Sequence, residues 1–109
     1  PQVYYVGLLG GANDVQLLAR TGVGRDVNRH HYTESEVDAA LETSVVQRLL
    51  SLIRFRNSHP AFDGEFSWEQ RAPAVIAFRW QHHEHATELV ANFDEGTFER
   101  VSTDVDSYA

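Results

Sequence analysis

The apolar positions of this chain change their period once, near residue 60. Before that point Val45, Val46, Leu49, Leu50, Leu52 and Ile53 recur at helical spacing, with Gln47, Arg48, Ser51, Arg54 and Arg56 on the opposite side. The spacing predicts a long helix that begins at Thr43 or Ser44. Residues 57–60 (Asn57-Ser58-His59-Pro60) end it, because a proline disfavours helical backbone at the residue before it. From Ala61 onward the apolar residues alternate instead. Phe66 and Trp68 form one short series, Ile76, Phe78 and Trp80 a second, Leu89, Ala91 and Phe93 a third; Phe98 and Val101 fall in a fourth run. A period of two predicts strands with one buried face. Turn signals at 71–73, 82–85 and 94–96 join them into an antiparallel meander of about four strands. Trp68, Phe78, Trp80 and Phe93 are expected to form the core stripe of that sheet.

Ahead of the long helix the pattern is shorter and more broken. Residues 2–6 are an apolar, aromatic run that closes at Gly7 and reads as a buried strand. Residues 7–12 are glycine-rich but lack the spacing of a dinucleotide fingerprint and the Lys-Ser/Thr of a phosphate loop, so they read as a flexible connection. Asn13, with Gln16 three residues on, predicts a capped short helix carrying Leu17 and Leu18 and ending at Gly22 and Gly24. Thr33 and Glu36 form a second capping box, which opens a helix through about Leu41. One strand with three helices has no sheet to join, and its edges would stay unpaired. The expectation is therefore a piece of a larger protein, with an α/β part and an all-β part meeting near residues 59–62.

Composition narrows the function classes. The 109 residues begin at Pro1 and contain neither methionine nor cysteine. The lack of an initiating methionine strengthens the expectation of a piece, and the lack of thiols removes disulfides, thiolate metal sites and a cysteine nucleophile. The formal net charge is −7, and all nine basic residues are arginines. An acidic chain without a basic patch argues against nucleic acid and against anionic membranes as partners. No apolar run is long enough to span a bilayer, and a cytoplasmic location is expected.

The polar chemistry concentrates in residues 24–32 (Gly24-Arg25-Asp26-Val27-Asn28-Arg29-His30-His31-Tyr32). Arg25 offers a rigid fork of donors for a carboxylate or a hydroxylated ligand; the plainer reading is an ion pair with Asp26. His30 and His31 read first as loop residues bonded to backbone, and Asn28 and Arg29 as pins for the loop. The run His82-His83-Glu84-His85 lies between two predicted strands, where one exposed turn does not supply the converging ligands of a metal site. No Ser-His-Asp arrangement and no glycosidase-like carboxylate pair stands out. No catalytic residue, metal or cofactor is therefore expected in this sequence.

Several runs together are more specific than any one. Pro1-Gln2-Val3-Tyr4-Tyr5-Val6-Gly7, Asn13-Asp14 with Leu17-Leu18, Gly24-Arg25-Asp26-Val27-Asn28-Arg29-His30, Phe55-Arg56-Asn57 and Ala61-Phe62-Asp63-Gly64 closely resemble the sucrose phosphorylase group of the α-amylase superfamily. The likeness is strong to about Phe66 and is one of position and pattern beyond. It implies an α/β fold class: the C-terminal portion of a (β/α)8 TIM barrel, followed by a small antiparallel β-sheet domain. Residues 1–59 would hold the eighth strand, an active-site loop and helices, and residues 60–109 the incomplete β domain. It implies a retaining double displacement that converts sucrose and phosphate to α-glucose 1-phosphate and fructose. In that group the arginine after the glycine binds the glucosyl residue, and Arg25 matches it. The catalytic carboxylates belong to earlier strands, so this segment alone is expected to be inactive. The implied partners are a sugar, inorganic phosphate, the preceding part of its own barrel and, as an assembly to test, a second copy. Rival expectations are a phosphorylase of glucosylglycerate or of sucrose phosphate, and a non-catalytic β-type interaction or carbohydrate-binding module.

Overall fold

A computed structural model describes residues 2–103. The helices are α1 (Tyr5–Leu8), α2 (Val15–Thr21), α3 (Glu34–Leu41) and α4 (Ser44–Ser58). The strands are β1 (Glu65–Ala72), β2 (Val75–His82), β3 (His85–Asn92) and β4 (Thr97–Thr103). Two 3-10 turns, Gly24–Asn28 and Pro60–Asp63, precede α3 and β1. The chain divides into two compact units, Pro1–Phe55 and Arg56–Ala109.

In the first unit, the helix starts follow from side chains that accept orphan backbone donors. The Thr33 hydroxyl accepts from the Glu36 amide, and Glu36 reaches back to the Thr33 amide, which completes the predicted capping box of α3. Helix α2 departs from expectation by one residue: its cap is Asp14, whose carboxylate accepts from the Leu17 amide at 2.8 Å, and not Asn13. An ionised carboxylate is the stronger acceptor at a positive helix end, which favours Asp14. Gly22, at φ 69°, closes α2 in the left-handed region.

The expected strand over residues 2–6 is not formed. Residues 2–4 are irregular and extended at Tyr4, and α1 begins at Tyr5. Among the described residues no other strand lies in this unit, so the run has no ladder to join. A local helical turn instead gives its carbonyls partners, with the Leu8 and Leu9 amides donating to Tyr4 and Tyr5. Among the described residues of this unit, Val6, Leu17 and Val46 are buried. Helix α4 matches its predicted bounds, but only Val46 of its apolar face is fully buried; Val45 is exposed.

The second unit is the meander the alternation predicts. The strands pair in the order β1-β2-β3-β4, all antiparallel. The register places Phe66 opposite Trp80, Trp68 opposite Phe78, and Phe78 opposite Leu89 on one face. Phe62, from the second 3-10 turn, packs on Trp80 at 5.0 Å and lies under the Arg56 guanidinium at 4.6 Å. The expected core stripe is therefore only partly right. Phe78 and Trp80 are half-buried, whereas Trp68 is 61% exposed and Phe93 is 67% exposed. The covering turn is four residues long and seats Phe62 over Trp80 rather than over the far end of β1, and Phe93 sits in the turn after β3. On the other face Arg71, next to a bulge in β1, donates two bonds to Glu88 and one to Glu69, and so holds Glu88 below the usual carboxylate range.

Candidate functional site

The polar segment 24–32 is built as a strap between two helix starts. Its first half is the 3-10 turn Gly24–Asn28, closed by the Asp26 amide donating to Val23 and the Arg29 amide donating to Asp26. The Asp14 amide donates to the Val27 carbonyl at 2.5 Å, which ties this turn to the cap of α2. Asp26 pairs with Arg29 at 3.9 Å rather than with Arg25, so Arg29 does pin the loop. Arg25 is exposed, and its guanidinium makes no hydrogen bond or ion pair among the described residues. The ion pair with Asp26 that the sequence allowed is thus not the arrangement found.

The second half centres on His30. Its Nδ1 lies 2.6 Å from Asp14 Oδ2 and its Nε2 lies 2.5 Å from Glu36 Oε2, so one imidazole joins the caps of α2 and α3. The Tyr5 hydroxyl donates to the His30 carbonyl at 2.8 Å, and the Tyr32 ring stands edge-on to the imidazole at 4.8 Å. Each proton of a charged imidazole meets an anion here. The hydrogen bonds to Asp14 and then Glu36 raise the His30 pKa above its ordinary 6.5, against a weaker opposing effect of desolvation. The same bonds hold Asp14 and Glu36 below their ordinary values. Asp14, His30, Tyr32, Glu36 and the 12–16 segment line an open cleft of about 530 Å³.

The backbone-bonded loop role expected for the His30 side chain is corrected by this geometry, since both ring nitrogens bond carboxylates. Glu36 was legible only as a helix-start residue, and Asp14 only as part of the Asn13-Asp14 run that carries the family resemblance. Glu36 lies in the helix start directly after the strap, but the whole of α2 separates Asp14 from it, so no sequence signal joined the three. The His82–His85 run is a hairpin tip, with His83 at φ 53°. His85 faces Glu84 at 3.7 Å. Among the described residues no group of three or more His, Cys, Asp or Glu is arranged to hold a metal ion, and no helix is long and apolar enough to cross a membrane.

Comparison with known proteins places this strap in a family. The chain is 52% identical over 96 residues to a sucrose phosphorylase from Agrobacterium vitis, a match covering 88% of this chain and 20% of that protein. It is 44% identical over 107 residues to a glucosylglycerol phosphorylase from Marinobacter adhaerens, covering 98% of this chain and 22% of that one. The chain belongs to the sucrose phosphorylase group. Within that group, the crystal structure of sucrose 6F-phosphate phosphorylase from Thermoanaerobacter thermosaccharolyticum superposes with a TM-score of 0.88 at 38% identity, over 96% of this chain and 23% of that chain. The four-stranded sheet and its helices are therefore a fold of this group. The chain spans about a fifth of the length of the relatives it matches. No family model matches it.

Proposed function

We propose that the protein carrying this chain transfers a glucosyl residue from an α-glucoside to inorganic phosphate, and that Arg25 holds the glucosyl unit. The observation that carries this reading is the state of Arg25. It is a permanently charged, five-donor fork on a strap fixed at both ends, and no side chain among the described residues engages it. A sugar presents adjacent hydroxyls that such a fork binds in pairs. The named activities of the relatives, phosphorolysis of sucrose, of sucrose 6F-phosphate and of glucosylglycerol, share a glucosyl donor and phosphate and differ in the leaving group.

In this reading the donor is sucrose and the reaction is a retaining double displacement. One carboxylate attacks the anomeric carbon, a second protonates the leaving fructose, and phosphate then takes the glucosyl residue. Both carboxylates come from other segments of the protein. Residues 1–59 form the end of a (β/α)8 barrel and residues 60–109 a small β domain, of which 104–109 lie outside the described residues; the enzyme is cytoplasmic. Loops at the C-terminal ends of barrel strands carry the active sites of such folds, and a strap with a free arginine suits that position.

Arg25→Ala in the full-length protein removes at least two charge-assisted hydrogen bonds. The expected loss is on the order of 3 kcal/mol, or about 10²-fold in kcat/KM for sucrose phosphorolysis, with an unchanged melting temperature. Near-normal turnover would rule out the assignment. A second reading, glucosylglycerol as the donor, has in its favour the relative matched over nearly the whole chain. Release of glycerol rather than fructose from paired donors, at matched concentrations, separates the two.

A further inference from the structure

We propose that His30 is a positioning residue for Arg25: by bridging the caps of α2 and α3, it fixes the 3-10 turn that presents the arginine to the sugar. The inference rests on the reading of Arg25 given above. Three connections carry it. His30 Nδ1 meets Asp14 Oδ2, and the amide of that same Asp14 holds the Val27 carbonyl, two residues beyond Arg25. Asp14 Oδ1 meanwhile accepts from Leu17, so the carboxylate cannot swing to follow the imidazole without uncapping α2. His30 Nε2 meets Glu36, whose other oxygen accepts from the amide and hydroxyl of Thr33. The arginine is thus held between two helix starts through one ring.

The bridge depends on charge. An imidazolium donates to both carboxylates, whereas a neutral ring has one N–H and turns a lone pair toward the other carboxylate. The groups around it are Asp14 from the cap of α2, Glu36 from α3, and the Tyr5 and Tyr32 side chains. Arg20 acts on Asp14, and Arg29 acts on Tyr5. The two carboxylates are the nearest charges and both favour the imidazolium. Opening the bridge releases the turn, so the grip on the sugar weakens on the alkaline side.

The test uses the full-length enzyme with sucrose and inorganic phosphate, from pH 5 to 9. His30→Gln keeps a polar side chain but cannot serve both carboxylates. The expected result is a rise of about tenfold in KM for sucrose at pH 6, with a smaller change in kcat. The ratio of wild type to variant should narrow as pH rises and the wild-type bridge itself opens. Glu36→Gln keeps an acceptor oxygen for the Thr33 cap and should move the alkaline limb of kcat/KM to lower pH; this variant carries the test if His30→Gln does not fold. Positioning also requires that His30→Gln add little to Arg25→Ala, because the residue it positions is gone. Effects that add in full, or a limb that Glu36→Gln leaves in place, overturn the inference while the role of Arg25 stands. Near-normal turnover by Arg25→Ala removes both.

Discussion

At the scale of single residues, a side chain matters here according to what its backbone prevents. Asp26 meets Arg29, the residue that closes the 3-10 turn, at 3.9 Å, and Arg25 makes no ion pair among the described residues. Gly64 is a second case, and it marks the entrance to the sheet. A Cβ built there would fall on the carbonyl of Gln81 in the neighbouring strand, a backbone atom that cannot rotate away. Its φ of −105° is ordinary, so close approach and not left-handed backbone requires the glycine. Gly64→Ala should therefore push β1 from β2 at their ends and cost about 1–3 kcal/mol of stability. Urea unfolding followed by tryptophan fluorescence would read it through Trp80, whose ring lies near Phe62 and Phe66. An unchanged midpoint would contradict the account. The sequence showed Arg25 as a candidate because its neighbourhood was dense in polar groups, but not which acid would engage it. That choice depends on a 3-10 turn whose i, i+3 geometry aligns Asp26 with Arg29.

At the scale of elements, legibility followed how local the deciding contacts are. The bounds of α3 and α4 were readable because a capping box, an apolar stripe and a proline act within a few residues. The meander was readable because each hairpin pairs neighbours in sequence. The run at 2–6 misled because a strand is decided by a distant pairing partner, and among the described residues this unit offers none. The Asp14–His30–Glu36 bridge was hidden for the same reason: sixteen residues separate Asp14 from His30, and no sequence period links them. The bridge makes the helix starts sensitive to pH from both sides. The raised pKa of His30 gives stability that is complete below its ordinary 6.5 and is lost as pH climbs through the raised value. The lowered pKa values of Asp14 and Glu36 give stability present above their ordinary 3.8 and 4.5 and lost as pH falls through the lowered values. The joint contribution should be largest between about pH 4.5 and 6.5. Amide exchange at Leu17 and Glu36, whose N–H groups the two caps hold, should slow in that window relative to the intrinsic rate. Protection that kept rising past pH 8 would contradict it.

At the scale of the whole molecule, each unit leaves apolar surface uncovered. In the first, Val3, Tyr4 and Val45 are exposed; in the second, Phe66, Trp68 and Phe98 are exposed, and the register places all three on one face of the sheet. Among the described residues of the second unit the fully buried ones are small, Ala61, Ala77, Ala86 and Thr87, while Phe62, Phe78 and Trp80 are only half-buried. Polar contacts are satisfied by contrast: among the described residues no buried side-chain nitrogen or oxygen lacks a partner. A segment that satisfies its polar groups but not its apolar ones has local structure without a full hydrophobic driving force. Contiguous apolar surface of this kind drives association in water. The 109-residue chain produced by itself should therefore sediment as a concentration-dependent mixture, with a broad melting transition. Replacing Phe66 and Trp68 together by threonine keeps β propensity and removes two large exposed rings, so it should shift the mixture toward monomer. In the full-length protein the same pair of changes should lower the melting temperature while leaving KM for sucrose within about twofold, because the proposed sugar contact lies in the other unit and not on the sheet. A large rise in KM would instead revive the sheet as a carbohydrate-binding face. A sharply melting monomer of the unaltered 109-residue chain would mean that its exposed aromatics are tolerated as they stand, and that this segment is a self-sufficient folding unit.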